Sequence, residues 1–360
     1  MARKLKSLWA LPVMILLGGC SVQKAASTVE AGAAARFPEL ELKEKLQQGA
    51  ASQALPLKLQ RAIKNGQGAE FVVPAGITYS DSGDLYVSDN NAHTVHLWQS
   101  NSAASGELRA GTEAARLKFP NPIQVRGDKL FVADNDGIKV LSLEGRFERL
   151  LRTYFAIQDF SLTDKGTIVA SVLVRNPGAQ DPLLVEMDQT GRVIRRIGAR
   201  RASSGRDDHE NQAFVAVSGS RLVVAYKYRP FVEVYDLDSG QLVRGFEINH
   251  PVFDALKNLP KPAAGATVTA AEQKLEPRYL AGVKTLGDRI FLCLHLPTPE
   301  VLEVNVEGKP LAAFRADGLP TAIHVFGFDA RSSGGELKFA IGVVDPTWGA
   351  SLSELSATAN

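Results

Sequence analysis

The sequence predicts an all-β protein, a six-bladed β-propeller, on three observations. First, a unit recurs: an apolar opening, a Gly-centred turn, an apolar strand ending near Asp, then a third strand. One copy reads Phe71 to Ile77, Gly83 to Asp89 and His93 to Leu97. The next reads Phe119 to Ile123, Gly127 to Asp134 and Ile138 to Val140. Second, the Gly turn and its strand occur six times, marked by Tyr86, Phe131, Val169, Val223, Phe291 and Phe339. The spacings are 45, 38, 54, 68 and 48, close to the ~40–50 residues of a four-stranded blade, so the two long intervals hold insertions. Third, each unit continues into a hairpin, as in Phe231 to Tyr235, Asp238-Ser239-Gly240 and Gln241 to Phe246.

The other hairpins follow the same plan. Ile138 to Leu143 turns at Gly145, Leu183 to Met187 at Gly191, and Val301 to Asn305 at Gly308. Gly at these turns supplies the positive φ of a tight hairpin. Alternating apolar positions on either side predict strands with one buried face. The sixth unit runs out of chain: after Phe339 to Val344 there is room for one strand around Leu352 to Leu355. An N-terminal strand over residues 57–63 supplies the missing fourth, which closes the ring and removes an open sheet edge.

These segments resemble the NHL-repeat class of six-bladed propellers, most clearly through Phe71-x-x-Pro74-x-Gly76-Ile77 and Gly83-Asp84-Leu85-Tyr86-Val87-x-Asp89. The name-giving motif departs from the family pattern, with Ala92 in place of the usual Asn and Thr94 in place of a basic residue. The resemblance implies a fold and leaves function open, because propellers host binding modules and enzymes alike.

Three segments organise the chain. Residues 1–19 read as a signal peptide: Arg3, Lys4 and Lys6 precede the ten-residue apolar run Leu8 to Leu17. That run is too short to span a bilayer. It ends in Leu17-Gly18-Gly19-Cys20, which resembles a bacterial lipobox and implies cleavage before Cys20 and acylation of that residue. Ser21 after the Cys resembles the sorting pattern for the outer membrane, so the expected location is the cell envelope, anchored to a lipid bilayer through Cys20. Residues 20–50, rich in Ala, Ser, Glu and Lys, form a tether with a short helix expected around Leu40 to Gln48. Residues 51–360 form the propeller, one domain, with insertions at 198–212 and 249–277.

Charge excludes one class of partner. Of 41 basic residues three lie in the leader, leaving 38 against 39 acidic ones, so the mature chain has no general attraction to nucleic acid. Basic residues cluster locally at Arg192, Arg195, Arg196, Arg200, Arg201 and Arg206, on the outer strand of the third blade and its loop. Of these Arg196, Arg200, Arg201 and Arg206 are the candidates for contact with an acidic partner. Once Cys20 is acylated, Cys293 stands alone in an apolar strand and is expected to be buried.

Propeller enzymes of this shape gather metal ligands at the start of several inner strands. Lactonases use Glu, Asn and Asp around calcium, and a related lyase uses His around zinc. Aligning the inner strands on Ile77, Ile123, Phe160, Val215, Val283 and Ile323 gives a ligand row of Ala75, Asn121, Gln158, Ala213, Ala281 and Thr321. That row favours no metal cofactor. The residues that an alternative, lactonase-like metal-dependent hydrolase or lyase would use are Asn121, Asp159 and His324, with calcium or zinc. No HExxH, CxxC, GxSxG or P-loop sequence is present. The leading expectation is a non-catalytic module that binds an envelope protein or peptide with one propeller face and the two inserted loops.

Overall fold

The computed structural model describes residues 54–64, 71–100, 105–108, 116–173, 182–201, 210–251, 253, 278–296, 298–316, 324–345 and 349–358. They belong to one compact unit. The expected signal peptide and tether, Cys20, Arg206, and most of the 249–277 insertion lie outside the described residues. Six antiparallel sheets are present, whose inner strands are Pro74–Tyr79, Asn121–Arg126, Ala156–Leu162, Ala213–Ser218, Leu280–Leu286 and His324–Ser333. Each inner strand lies beside the next, and the sixth lies beside the first, so the sheets close into a six-bladed ring.

The closing strand is where the sequence expects it. Lys58–Lys64 pairs antiparallel with Gly349–Thr358 as the fourth strand of blade six. Just upstream, Leu55–Pro56 adds in parallel to the outer strand of blade five, a contact the repeat pattern did not suggest. The N-terminal segment thus ties two neighbouring blades together.

Burial differs from the expected one-sided pattern for a physical reason. Blades stack face to face, so a middle strand has a neighbour on both sides. Leu85–Asp89 is buried at every position, and so is Pro182–Met187. Among the strands, exposure is greatest at the rim, as in Leu242–Glu247 of blade four. Among the described residues the core consists of six apolar clusters, one in each gap between neighbouring blades. Cys293 lies in the gap between blades five and six, where burial pushes its thiol up to about 12.

Polar side chains stitch the inner strands around the channel. Gln124 bridges blades two and three, donating to Phe160 O (2.7 Å) and accepting from Leu162 N–H (3.0 Å). Ser161 accepts from Val217 N–H across the next gap (3.0 Å), and Thr285 donates to Val217 O across the one after (3.2 Å). Asp329 closes the last two gaps, with an ion pair to Lys284 (2.8 Å) and a bond from Tyr79 N–H (2.8 Å). Close approach needs glycine at Gly76, where a Cβ would lie 2.9 Å from Ile123 N in blade two. At the Gly308 turn, φ is +80° and a Cβ would meet the Phe246 ring of blade four at 2.5 Å.

Candidate ligand site at the channel mouth

Antiparallel pairing decides which residues share one end of the channel. The start of each inner strand lies opposite the end of its second strand, as Ala213 lies opposite Tyr226. Lys227, one residue past that second strand, therefore reaches the same mouth as the inner-strand starts. So does Arg278, at the point where the chain returns from the 249–277 insertion. Its neighbour Tyr279 donates its N–H to Lys227 O (2.8 Å), which fixes the return point. The start of the insertion is also anchored: Phe253 is buried edge-on against Tyr279 (5.0 Å), and His250 hydrogen-bonds Glu300 (2.9 Å).

The mouth is a cavity of about 260 Å³ lined by all six inner strands. In five blades the inner strand bulges by one residue here, at Ala75, Pro122, Gln158, Ala281 and Phe326. The register expected from sequence holds in blade two, where Ile123 pairs with Val132 as Ile77 pairs with Val87. It fails in blade six. There the strand begins only at His324, after the expected Ile323, and Phe328 stands two residues past its bulge as Ile77 does past Ala75.

Three charged groups dominate. Asp159 accepts a hydrogen bond from Val215 N–H (2.8 Å). Burial pushes its carboxyl up to about 7, against the pull of that N–H and of the Lys227 charge. Burial also pushes the Lys227 ammonium down, and neighbouring Arg278 adds to the fall. Lys227 Nζ sits 4.6 Å over the Phe214 ring, and the Arg278 guanidinium lies 5.8 Å from the same ring. Arg278 donates from Nε to Leu280 O (3.0 Å). Neither cation forms an ion pair among the described residues. Lys284 and Asp329 also line the cavity but pair with each other (2.8 Å), so Lys227 and Arg278 are left against Asp159. Sequence reasoning missed both. Their only sequence signal is position: one follows a second strand and the other ends an insertion.

Of the expected metal-site residues, Asn121 and Asp159 line the cavity and His324 does not. His324 is exposed at the start of its strand, its ring 5.6 Å from that of His295 and 5.6 Å from Phe326. Calcium or zinc does not fit this donor set. A divalent cation beside Asp159 would face Lys227 and Arg278, and no group of three or more His, Cys, Asp or Glu converges among the described residues.

The candidate arginines divide. Arg196 is exposed on the outer strand of blade three. Arg200 is half-buried and points Nη2 toward Val172 O (3.4 Å). Arg201 is drawn inward: it pairs with Glu233 (2.8 Å), lies 3.8 Å over Phe231, and its backbone N–H is held by Asn211 Oδ1 (2.9 Å). Its guanidinium holds the base of the 198–212 loop to blade four.

The NHL repeat family matches residues 71–96. A search of the curated proteins finds no match. Among solved structures, an exported protein of Bacteroides fragilis (described there as putative) aligns with TM-score 0.54 at 10% identity, covering 84% of this chain and 96% of that one. A calcium-binding protein, regucalcin, from Agrobacterium tumefaciens aligns with TM-score 0.53 at 10% identity, with the same coverage of 84% and 96%. A gluconolactonase of Xanthomonas campestris aligns with TM-score 0.51 at 13% identity, covering 85% and 97%. At these identities the likeness is one of fold. The chain is a six-bladed β-propeller that carries an NHL repeat at residues 71–96.

Proposed function

We propose that this chain is a lipid-anchored protein of the cell envelope whose propeller binds a protein or peptide partner at the channel mouth without catalysing a reaction. One observation carries the binding half. Two desolvated cations, Lys227 and Arg278, stand over an aromatic ring in a cavity, and neither forms an ion pair among the described residues. Such groups cost stability in the free protein and are retained where a ligand uses them.

The anchor rests on Leu17 to Cys20 and Ser21. Cys20→Ser is expected to move the protein from the membrane fraction to the soluble envelope fraction and to abolish incorporation of a fatty-acid label. A variant still labelled and still pelleting with membranes would refute the anchor. For the mouth, a photo-crosslinking residue at Tyr228 is expected to give a defined adduct in intact cells, and one at Glu307 on the rim none. Equal adducts from both positions, or none from Tyr228, would count against the mouth as the binding face.

A lactonase-like hydrolase or lyase is the second reading, favoured only by Asn121 and Asp159 sharing the cavity. Stoichiometric calcium or zinc in the purified protein, together with lactone turnover lost in Asp159→Asn, would establish it.

A further inference from the structure

Resting on the mouth as a ligand site, we infer that it recognises a single carboxylate carried next to an apolar group. The charge count is the first argument. The cavity is lined by Lys227, Arg278 and Lys284 against Asp159 and Asp329; Lys284 and Asp329 neutralise each other (2.8 Å), so the mouth is short of at least one negative charge. A monoanion balances it. A phosphate dianion would leave Asp159 beside excess negative charge.

Hydrogen-bonding capacity is the second argument. The Lys227 ammonium meets no acceptor among the described residues, and Arg278 uses only Nε on protein, at Leu280 O. A planar carboxylate accepts from a guanidinium fork and an ammonium together. Asp159 is not that acceptor: it forms no ion pair with Lys227 or Arg278, and its Oδ2 accepts from Val215 N–H (2.8 Å). Gln158 Oε1 is enclosed with no donor.

Shape is the third argument. A cavity of about 260 Å³ holds one residue-sized group and excludes a helix or a folded loop. Phe214 lies under both cations and supplies an apolar face beside the charge. A chain end with an apolar last residue satisfies all three conditions, and so does a small aryl-substituted organic acid. The two share their chemistry and differ only in the amide.

The test uses the full lipidated chain in nonionic detergent, in a buffer without phosphate, by calorimetric titration. The probes are acetyl-alanyl-phenylalanine, its C-terminal amide, phenylacetate and inorganic phosphate. The acid is expected to bind at least about tenfold tighter than the amide, the worth of a charge-assisted hydrogen bond. Lys227→Met is expected to lose about tenfold or more for the acid and to change the amide little. Asp159→Asn keeps an oxygen for Val215 N–H, removes the competing charge, and is expected to tighten the acid. These opposite signs separate recognition from a folding defect. Phenylacetate matching the dipeptide assigns a free organic acid; a clear preference for the dipeptide assigns a chain end. Equal binding of acid and amide, no binding of either acid, a preference for phosphate, or Lys227→Met leaving the acid unchanged would each overturn the inference. Crosslinking from Tyr228 in the absence of acid binding would overturn it while leaving the mouth as a binding face.

Discussion

A chain that begins at residue 65 is expected to melt well below one that begins at residue 50, and to associate. The segment it lacks closes the ring. Lys58–Lys64 pairs along Gly349–Thr358 from Lys58 opposite Ser356 to Lys64 opposite Ser351. Leu57 is buried in the gap between blades five and six and donates its N–H to Arg315 O (2.8 Å). Gln60 donates to Ser356 Oγ (2.6 Å), and Arg61 pairs with Glu354 (3.2 Å), which also accepts from the Tyr79 hydroxyl in blade one (3.2 Å). Net hydrogen bonds at ~1 kcal/mol each and a buried leucine at ~2 kcal/mol place the loss at about 5 kcal/mol or more. That rivals the whole stability of many domains. The loss also bares a ten-residue strand as an open edge, a template for pairing with other chains. Thermal melts and size-exclusion chromatography with light scattering read both effects. Equal melting temperatures and a monomeric truncated chain would show that blade six stands on three strands.

The closing strand was legible because its evidence is local and subtractive: the last unit lacks a strand, and a strand-like segment lies before the first. The hairpins were legible for a related reason. Gly145, Gly191, Gly240 and Gly308 all take positive φ, and a tight turn has few other residues to choose from. The inner-strand register was legible only in part: it held in blade two and failed in blade six, where Ile323 stands before the strand that begins at His324 and a bulge at Phe326 adds a further residue. A row chosen by first apolar residue therefore drifts. The candidate site suffered a second loss. Aligning inner strands samples one set of loops at the mouth, whereas the ends of the second strands reach the same end by antiparallel pairing. Lys227 comes from that second set, and Arg278 from the end of an insertion whose position, but not whose contribution to the mouth, the spacing revealed. Arg201 shows the converse. As part of an arginine cluster it looked like a surface for partners, and only the fold brings Glu233 and Phe231 beneath it.

The Asp that ends the second strand was visible as a repeat marker, and the structure gives it a physical role that predicts a second large effect. Asp89 in blade one accepts from the N–H groups of Val72 and Val73, at 2.5 and 3.1 Å. Asp134 in blade two does the same for Lys118 and Phe119, at 3.0 and 2.7 Å. Each carboxylate pins the loop that enters its blade to the second strand. Blade two adds Lys139, whose side chain is 2% exposed and whose Nζ lies 2.7 Å from Asp134 Oδ2. Asp134→Ala removes the acceptor for the loop and leaves the buried ammonium with only Arg116 O and the longer contact to Asp136 (3.8 Å), so a cost of about 3–5 kcal/mol is expected. Lys139→Met should cost far less, about 1 kcal/mol, because Asp134 keeps its backbone donors and the apolar stem is replaced. Asp134→Ala with Lys139→Met should then be more stable than Asp134→Ala alone, a coupling that a loss of packing would not produce. Acid sensitivity offers an independent reading. Burial alone would raise the Asp134 pKa, but Lys139 and the backbone N–H groups of Phe119, Asn135 and Lys118 hold it below the usual value. A carboxyl lowered in this way adds stability that is complete above its unfolded pKa of ~3.9 and is lost as the pH falls through its folded value. The stability difference between wild type and Asp134→Asn, from urea melts, should therefore be constant near neutrality and shrink only below about pH 4. A difference independent of pH down to the acid transition would assign the effect of Asp134 to shape and remove its charge from the account.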